Sequence, residues 1–235
     1  MSDLRFAAPK ERRVALITGG ARGIGRAAAI RIAEEGRDII IADILHREAG
    51  ETVAAIEALG QDALYIETDV SDEAAVHAAV QQAVERFGRL DILVCCAGIL
   101  GWEKPFLEQT AEQFNKVMGI NVYGVYHAHQ AAIPHMLKGG WGRCVSITSG
   151  ARRGGPDQVP YCVSKAAVYT FVQSLGNAWP SQNVFVNGVE PGRALTDMVI
   201  PRFSKEFIEN PGNPIGRYSD PEEVAEIIEQ LCSER

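Results

Sequence analysis

Six short runs of apolar, mostly β-branched residues recur along the chain: VALIT (14–18), DIIIA (38–42), ALYIET (63–68), DILVCC (91–96), CVSIT (144–148) and VFVNGV (184–189). Most are nearly continuous in apolar character instead of alternating with polar positions, which predicts strands covered on both faces. Between them the apolar residues take helical spacing, predicting helices over 24–35, 47–58, 73–87, 111–137, 161–178 and 221–231. The punctuation agrees. Gly36 and Gly60 follow the first two helices at C-cap distance, Ser71 and Asp72 precede the third, and Asp220 stands before Pro221 at the start of the last. Strand–helix alternation repeated this often implies a parallel, doubly wound α/β sheet with right-handed crossovers. With no linker, repeat or low-complexity segment, residues 1–235 read as one domain, with 1–10 as an N-terminal tail.

Composition narrows the function classes. Of 235 residues, 46% are hydrophobic and 23% charged, as in ordinary globular proteins. The net charge is −7 and no block of Lys or Arg is long enough to track phosphates, which argues against nucleic acid as a partner. No apolar run approaches the roughly eighteen residues of a membrane span. The opening MSDLRFAAPKERR lacks the apolar core of a secretory signal. Five cysteines, an odd number, then point to reduced thiols and a cytoplasmic location. Cys95 and Cys96 are adjacent, not spaced as CxxC, and no His/Cys cluster has zinc spacing. The thiols read as packing groups and no metal is expected.

The candidate chemistry begins directly after the first strand, at TGGARGIG (18–25). Gly19 allows a sharp turn off the strand, while Gly23 and Gly25 let a pyrophosphate approach the backbone and the next helix pack against the sheet. The helix N-terminus supplies free N–H groups and partial positive charge. Asp43 ends the second predicted strand, where a carboxylate accepts from ribose hydroxyls and repels a 2′-phosphate, favouring NAD over NADP. Arg22, within the glycine turn, is the counterweight, because a guanidinium there can serve a 2′-phosphate. Farther on, YCVSK (161–165) sets a tyrosine and a lysine on one helical face.

Together with DV (69–70), AG (97–98), Asn121 and PG (191–192), these motifs resemble the short-chain dehydrogenase/reductase family, the compact single-domain form of the NAD(P)-binding Rossmann superfamily. The resemblance runs from about residue 10 to the end and implies a Rossmann fold and an NAD(P)-dependent enzyme acting on a CH–OH group. It implies that Tyr161 is the general acid/base, and that Lys165 binds the nicotinamide ribose and lowers the tyrosine pKa. It further implies that Asn121 breaks the local helical hydrogen bonding and holds a water that relays protons to the lysine, and that a serine near the fifth strand holds the substrate oxygen. Ser149 and Thr148 both stand near the expected spacing for that serine; Ser149 is the first choice. The cofactor-binding set is Gly19, Arg22, Gly23, Ile24, Gly25, Asp43, Asp69, Val70, Ala97, Gly98, Tyr161, Lys165, Pro191, Gly192 and Thr196.

Two departures stand out. The family's Asn-Asn before AG is Cys95-Cys96 here, which removes amides that tie that loop to backbone. The chain also stops at Arg235, where the family continues into a seventh strand; six strands are expected, with the sixth an unpaired edge, and the chain reads as truncated or incomplete. The family implies a homodimer or homotetramer, with one interface on helices 111–137 and 161–178. The substrate, a secondary alcohol or ketone, would be bordered by 99–106, 151–160 and a lid over 195–214. Trp102 could stack on it or cover the core, and Arg152 and Arg153 could attract an anion or be solvated. His127, His129 and His135 read as surface or interface residues. The rival readings are an NADP-preferring ketone reductase, an isomerase or dehydratase holding NAD as catalyst, and a non-catalytic dinucleotide sensor or scaffold.

Overall fold

The computed structural model describes residues 12–202, 204–209 and 212–234; the 1–10 tail lies outside them. Six parallel strands form one sheet in the order β3-β2-β1-β4-β5-β6: β1 (Val14–Thr18), β2 (Asp38–Asp43), β3 (Ala63–Glu67), β4 (Ile92–Cys95), β5 (Gly142–Ile147) and β6 (Val184–Val189). Every residue of β1, β2 and β4 is buried, as their unbroken apolar runs require. This is the doubly wound α/β fold expected.

The helices are α1 (Gly23–Glu34), α2 (His46–Glu57), α3 (Glu73–Phe87), α4 (Ala111–Met118), α5 (Gly124–Gly139), α6 (Val159–Leu175), α7 (Lys205–Glu209) and α8 (Pro221–Cys232). They cover both faces. Leu16, Ile40 and Leu93 point into the core under α3, α5 and α6, while Ile17, Ile39, Ile41 and Ile92 point into the core under α1, α2 and α8. Between α1 and α8 the buried Arg37 pairs with the buried Glu229 at 3.2 Å. Because β1 is flanked by β2 on one side and β4 on the other, the winding reverses at the carboxyl end of β1, where such sheets open a crevice.

The long helix expected over 111–137 is instead two α-helices joined by a π-helical turn, Gly119–Tyr123. Gly119 and Gly124 flank Asn121 in a stretch of weak helix formers, which lowers the cost of an added residue in the turn. Two histidine expectations are corrected on α5. His127 and His129 are not surface residues but 7% and 1% exposed, because α5 packs against α3 and the sheet, and Phe171 of α6 lies edge-on to His129. His135 is partly exposed.

Candidate active site

A cavity of about 460 Å³ runs across the carboxyl ends of the strands. Of the residues expected in the site, all but Asn121 line it: Gly19, Arg22, Gly23, Ile24, Gly25, Asp43, Asp69, Val70, Ala97, Gly98, Ser149, Tyr161, Lys165, Pro191, Gly192 and Thr196. Four loops after β1, β4, β5 and β6, with the ends of β2 and β3, converge there because all six strands run in the same direction.

The glycine turn is built for close approach. Gly19 has φ +68°, and a Cβ on it would lie 2.5 Å from the Ala97 nitrogen. A Cβ on Gly25 would lie 2.0 Å from the Gly19 carbonyl oxygen, so no side chain fits between the turn and the first turn of α1. The N-terminus of α1 has no side-chain cap and no acidic residue in its first turn. Its N–H groups and dipole fit a bound anion, and the glycine cradle fits the pyrophosphate of a dinucleotide. Asp43, 8% exposed, is fixed at the end of β2: one carboxylate oxygen accepts from the Ala21 N–H at 3.0 Å and the other from the Leu45 N–H at 3.0 Å. The carboxylate therefore both shapes the glycine turn and faces the cavity.

At the other end of the cavity stand Ser149, Tyr161 and Lys165. Ser149 precedes the 3₁₀ turn Gly150–Arg153, and its hydroxyl accepts from the Ala151 N–H at 3.2 Å. The Tyr161 phenol lies beside it in the cavity, close enough for the Ser149 hydroxyl to favour the phenolate. Thr148 lines the same cavity, but its hydroxyl donates to the Val189 carbonyl at 3.0 Å, which turns it toward β6. Lys165 lies one turn beyond Tyr161 on α6, with its ammonium 5.8 Å from the phenol ring centre and donating to the Ile147 carbonyl at 2.7 Å.

The expected lowering of the Tyr161 pKa is not what these groups produce. Burial, the largest influence, pushes the phenol above its usual value; the Ser149 hydroxyl opposes this, and Cys162 nearby adds to the rise. Burial also lowers the Lys165 pKa to about 8. The ammonium donates to the Ile147 carbonyl and stands 5.8 Å from the ring centre, and burial of the phenol dominates.

Asn121, 1% exposed, lies just behind the cavity wall in the π-helical turn. Its Oδ1 accepts from the Ile99 N–H at 2.8 Å, and its Nδ2 donates to the Ile99 carbonyl at 2.9 Å and to the Ser164 hydroxyl at 3.0 Å. This tie holds the loop after β4, where Cys95-Cys96 replaces the family's amides. Cys95 and Cys96 have their thiols pushed up by burial, Cys95 to about 12, so both stay protonated at neutral pH.

Arg152 and Arg153 do not line the cavity: Glu190 pairs with both, at 2.5 and 2.9 Å, and Arg152 stacks over Tyr169. Trp102 is 39% exposed, with the Lys116 ammonium 6.0 Å from its ring, and does not cover the core. Met198 and Val199 line the cavity within the expected 195–214 segment, whereas Lys116 and Ile120 were not expected. Lys116 and Ile120 are four apart, and Ile120 immediately precedes Asn121, a spacing that could have marked one face of that segment as cavity wall.

Comparison with known proteins bears on this geometry directly. The short chain dehydrogenase family model matches residues 13–206. Over 232 residues, 97% of this chain and 91% of the relative, the sequence is 33% identical to 2-dehydro-3-deoxy-L-rhamnonate dehydrogenase (NAD(+)) of Sphingomonas sp. strain SKA58. It is 35% identical to L-rhamnose 1-dehydrogenase (NAD(P)(+)) of the same organism, over 95% of this chain and 90% of that one. The crystal structure of NAD+-bound xylitol dehydrogenase superposes with a TM-score of 0.89 at 28% identity, covering 94% of this chain and 92% of that one. A doubly wound sheet, a glycine turn at its switch point and a family match across most of the sequence lead to one conclusion: this chain belongs to the short-chain dehydrogenase/reductase family of oxidoreductases.

Proposed function

We propose that the protein transfers hydride between NAD and a secondary alcohol or ketone, with Tyr161 as general acid/base. The observation that carries this reading is the shared cavity. The glycine cradle and Asp43 form one end of it, and the Ser149–Tyr161 hydroxyl pair with Lys165 forms the other. When bound, the nicotinamide supplies the hydride acceptor or donor. Gly19, Gly23 and Gly25 would admit the pyrophosphate, and Asp43 would receive the adenine ribose. Ser149 would hold the substrate oxygen beside the Tyr161 hydroxyl, which takes a proton in alcohol oxidation and returns it in ketone reduction.

The Tyr161 pKa, raised by burial, makes the phenol a poor base near neutrality on the protein's own groups, and a bound oxidised nicotinamide would supply further positive charge. Lys165 adds its ammonium, 5.8 Å from the ring centre. The segment 195–214 would act as a lid, since Thr196, Met198 and Val199 already form cavity wall; residues 203, 210 and 211 lie outside the described residues. NADP use is the second reading, favoured by Arg22 on the cavity wall and by the NAD(P)(+) named for one relative.

The test is incubation with NAD or NADP across a panel of neutral secondary alcohols, following reduced nicotinamide. Turnover of at least one alcohol, faster with NAD, is expected. Tyr161→Phe is expected to reduce it on the order of 10² to 10⁴-fold with NAD affinity retained. Full activity in that variant would sink the mechanism. Asp43→Asn, which cannot accept two N–H bonds without turning an NH2 toward one of them, is expected to raise the NADP-to-NAD ratio and to lower stability by about 1–3 kcal/mol.

A further inference from the structure

Between Tyr161 and Lys165 stands Ser164, fully buried, on the inner face of α6. Its hydroxyl donates to the Tyr161 carbonyl at 2.7 Å, three residues back. A serine bonded back to its own helix is common and by itself means little. The second bond is different. The same oxygen accepts from Asn121 Nδ2, which comes from the π-helical turn forty-three positions away. The orientation of that carboxamide is fixed by its surroundings, because only Oδ1 can accept from the Ile99 N–H. Both N–H groups of Asn121 are then used, one on Ile99 and one on Ser164.

A continuous buried chain of hydrogen bonds thus runs from the Ile99 backbone through Asn121 and Ser164 to the Tyr161 backbone. It passes under the cavity floor: a Cβ on Gly98 would lie 3.2 Å from Asn121 Oδ1 and 3.9 Å from the Lys165 ammonium. We propose that Ser164 is a positioning residue that locks the Asn121 carboxamide, and through it the Ile99 turn, in register with the helix carrying Tyr161 and Lys165. This rests on the reading of Tyr161 and Lys165 as the proton-handling pair. Without the hydroxyl, one Asn121 N–H would be left in the interior with no acceptor. A buried unsatisfied donor is costly enough to rotate the carboxamide and release Ile99.

The test uses Ser164→Ala and Ser164→Cys in the full chain, with three readouts: amide hydrogen exchange at Ile99, affinity for NAD and steady-state turnover. Ser164→Ala is expected to speed exchange at Ile99 on the order of tenfold while β1 and β5 keep their protection. Turnover is expected to fall about tenfold with the alcohol KM nearly unchanged. The weaker thiol acceptor of Ser164→Cys is expected to restore part of both effects. In an Asn121→Ala background, where Ile99 has already lost its partner, Ser164→Ala is expected to add no further acceleration. Unchanged Ile99 exchange in Ser164→Ala overturns the proposal. So does equal loss of protection across β1 and β5, which marks a merely structural role, or full additivity with Asn121→Ala. Should the wild type turn over no alcohol, the reading of the site fails, yet exchange at Ile99 still decides the role of Ser164.

Discussion

At Lys165 the site sets function against stability. The side chain is 7% exposed and its ammonium has one described protein acceptor, the Ile147 carbonyl. Burial brings its pKa to about 8, below the unfolded value of about 10.4. For a base depressed in this way, the charged form is penalised in the folded state. The penalty is complete below pH 8 and disappears as pH rises from 8 toward the unfolded value. Lys165→Met retains the length and removes the charge, at the loss of one hydrogen bond. It is expected to raise stability at pH 7 by about 1–3 kcal/mol while abolishing turnover. Urea unfolding at pH 7 checks the first part; a variant less stable than wild type would show that the carbonyl contact outweighs the buried charge. Asp43 illustrates a different economy: the carboxylate offered to a ribose already organises the turn of residues 19–21, so its two roles cannot be varied independently.

At the scale of elements, a glycine's surroundings decide what replacing it does. Gly25 and Gly50 both lie within helices, α1 and α2. A Cβ on Gly25 would press to 2.0 Å from the Gly19 carbonyl, whereas a Cβ on Gly50 would meet nothing within 4 Å. Gly25→Ala is expected to destabilise by at least about 1–3 kcal/mol and to abolish NAD binding, because backbone, not a flexible side chain, must yield. Gly50→Ala is expected to stabilise by up to about 1 kcal/mol through helix propensity. Thermal unfolding and NAD titration of the pair decide it, and equal effects would refute the argument. The same contrast explains what was legible in the sequence. Strands β1 to β6 could be read within two residues at either end, because burial on both faces leaves unbroken apolar runs. The glycine turn and the Tyr-x-x-x-Lys pair could be read because local spacing sets their geometry. The π-helical turn lies inside an unbroken helical pattern, so periodicity did not show it; the break at Asn121 was implied by the family resemblance. The ties from Asn121 to Ile99, and from Glu190 to Arg152 and Arg153, join residues that only the folded sheet brings together.

For the molecule as a whole, His129 links the interior to acid stability. It lies between the sheet and α6, edge-on to Phe171 with ring centres 5.1 Å apart and with Cys95 Sγ 3.9 Å from its Nδ1. Its Nδ1 is 2.8 Å from the Val125 carbonyl, an acceptor, so the proton sits on Nδ1 and Nε2 is a bare lone pair. That Nε2 is buried without a partner. Burial lowers the pKa to about 4, against about 6.5 unfolded. Between these values the unfolded chain binds a proton that the folded chain refuses. The contribution of His129 is therefore complete above about pH 6.5 and declines as pH falls toward 4, by about 3 kcal/mol in total. Other groups titrate in the same range, so the informative quantity is a difference between variants. His129→Leu fills similar space, has no proton to bind and leaves no orphaned lone pair. The wild-type stability minus that of His129→Leu, from urea unfolding at pH 7.5, 6 and 5, is expected to fall steadily with pH. A constant difference would mean that the interior opens to protonate His129 without unfolding, and that the packing of α5 around His129 and Phe171 is looser than its burial implies.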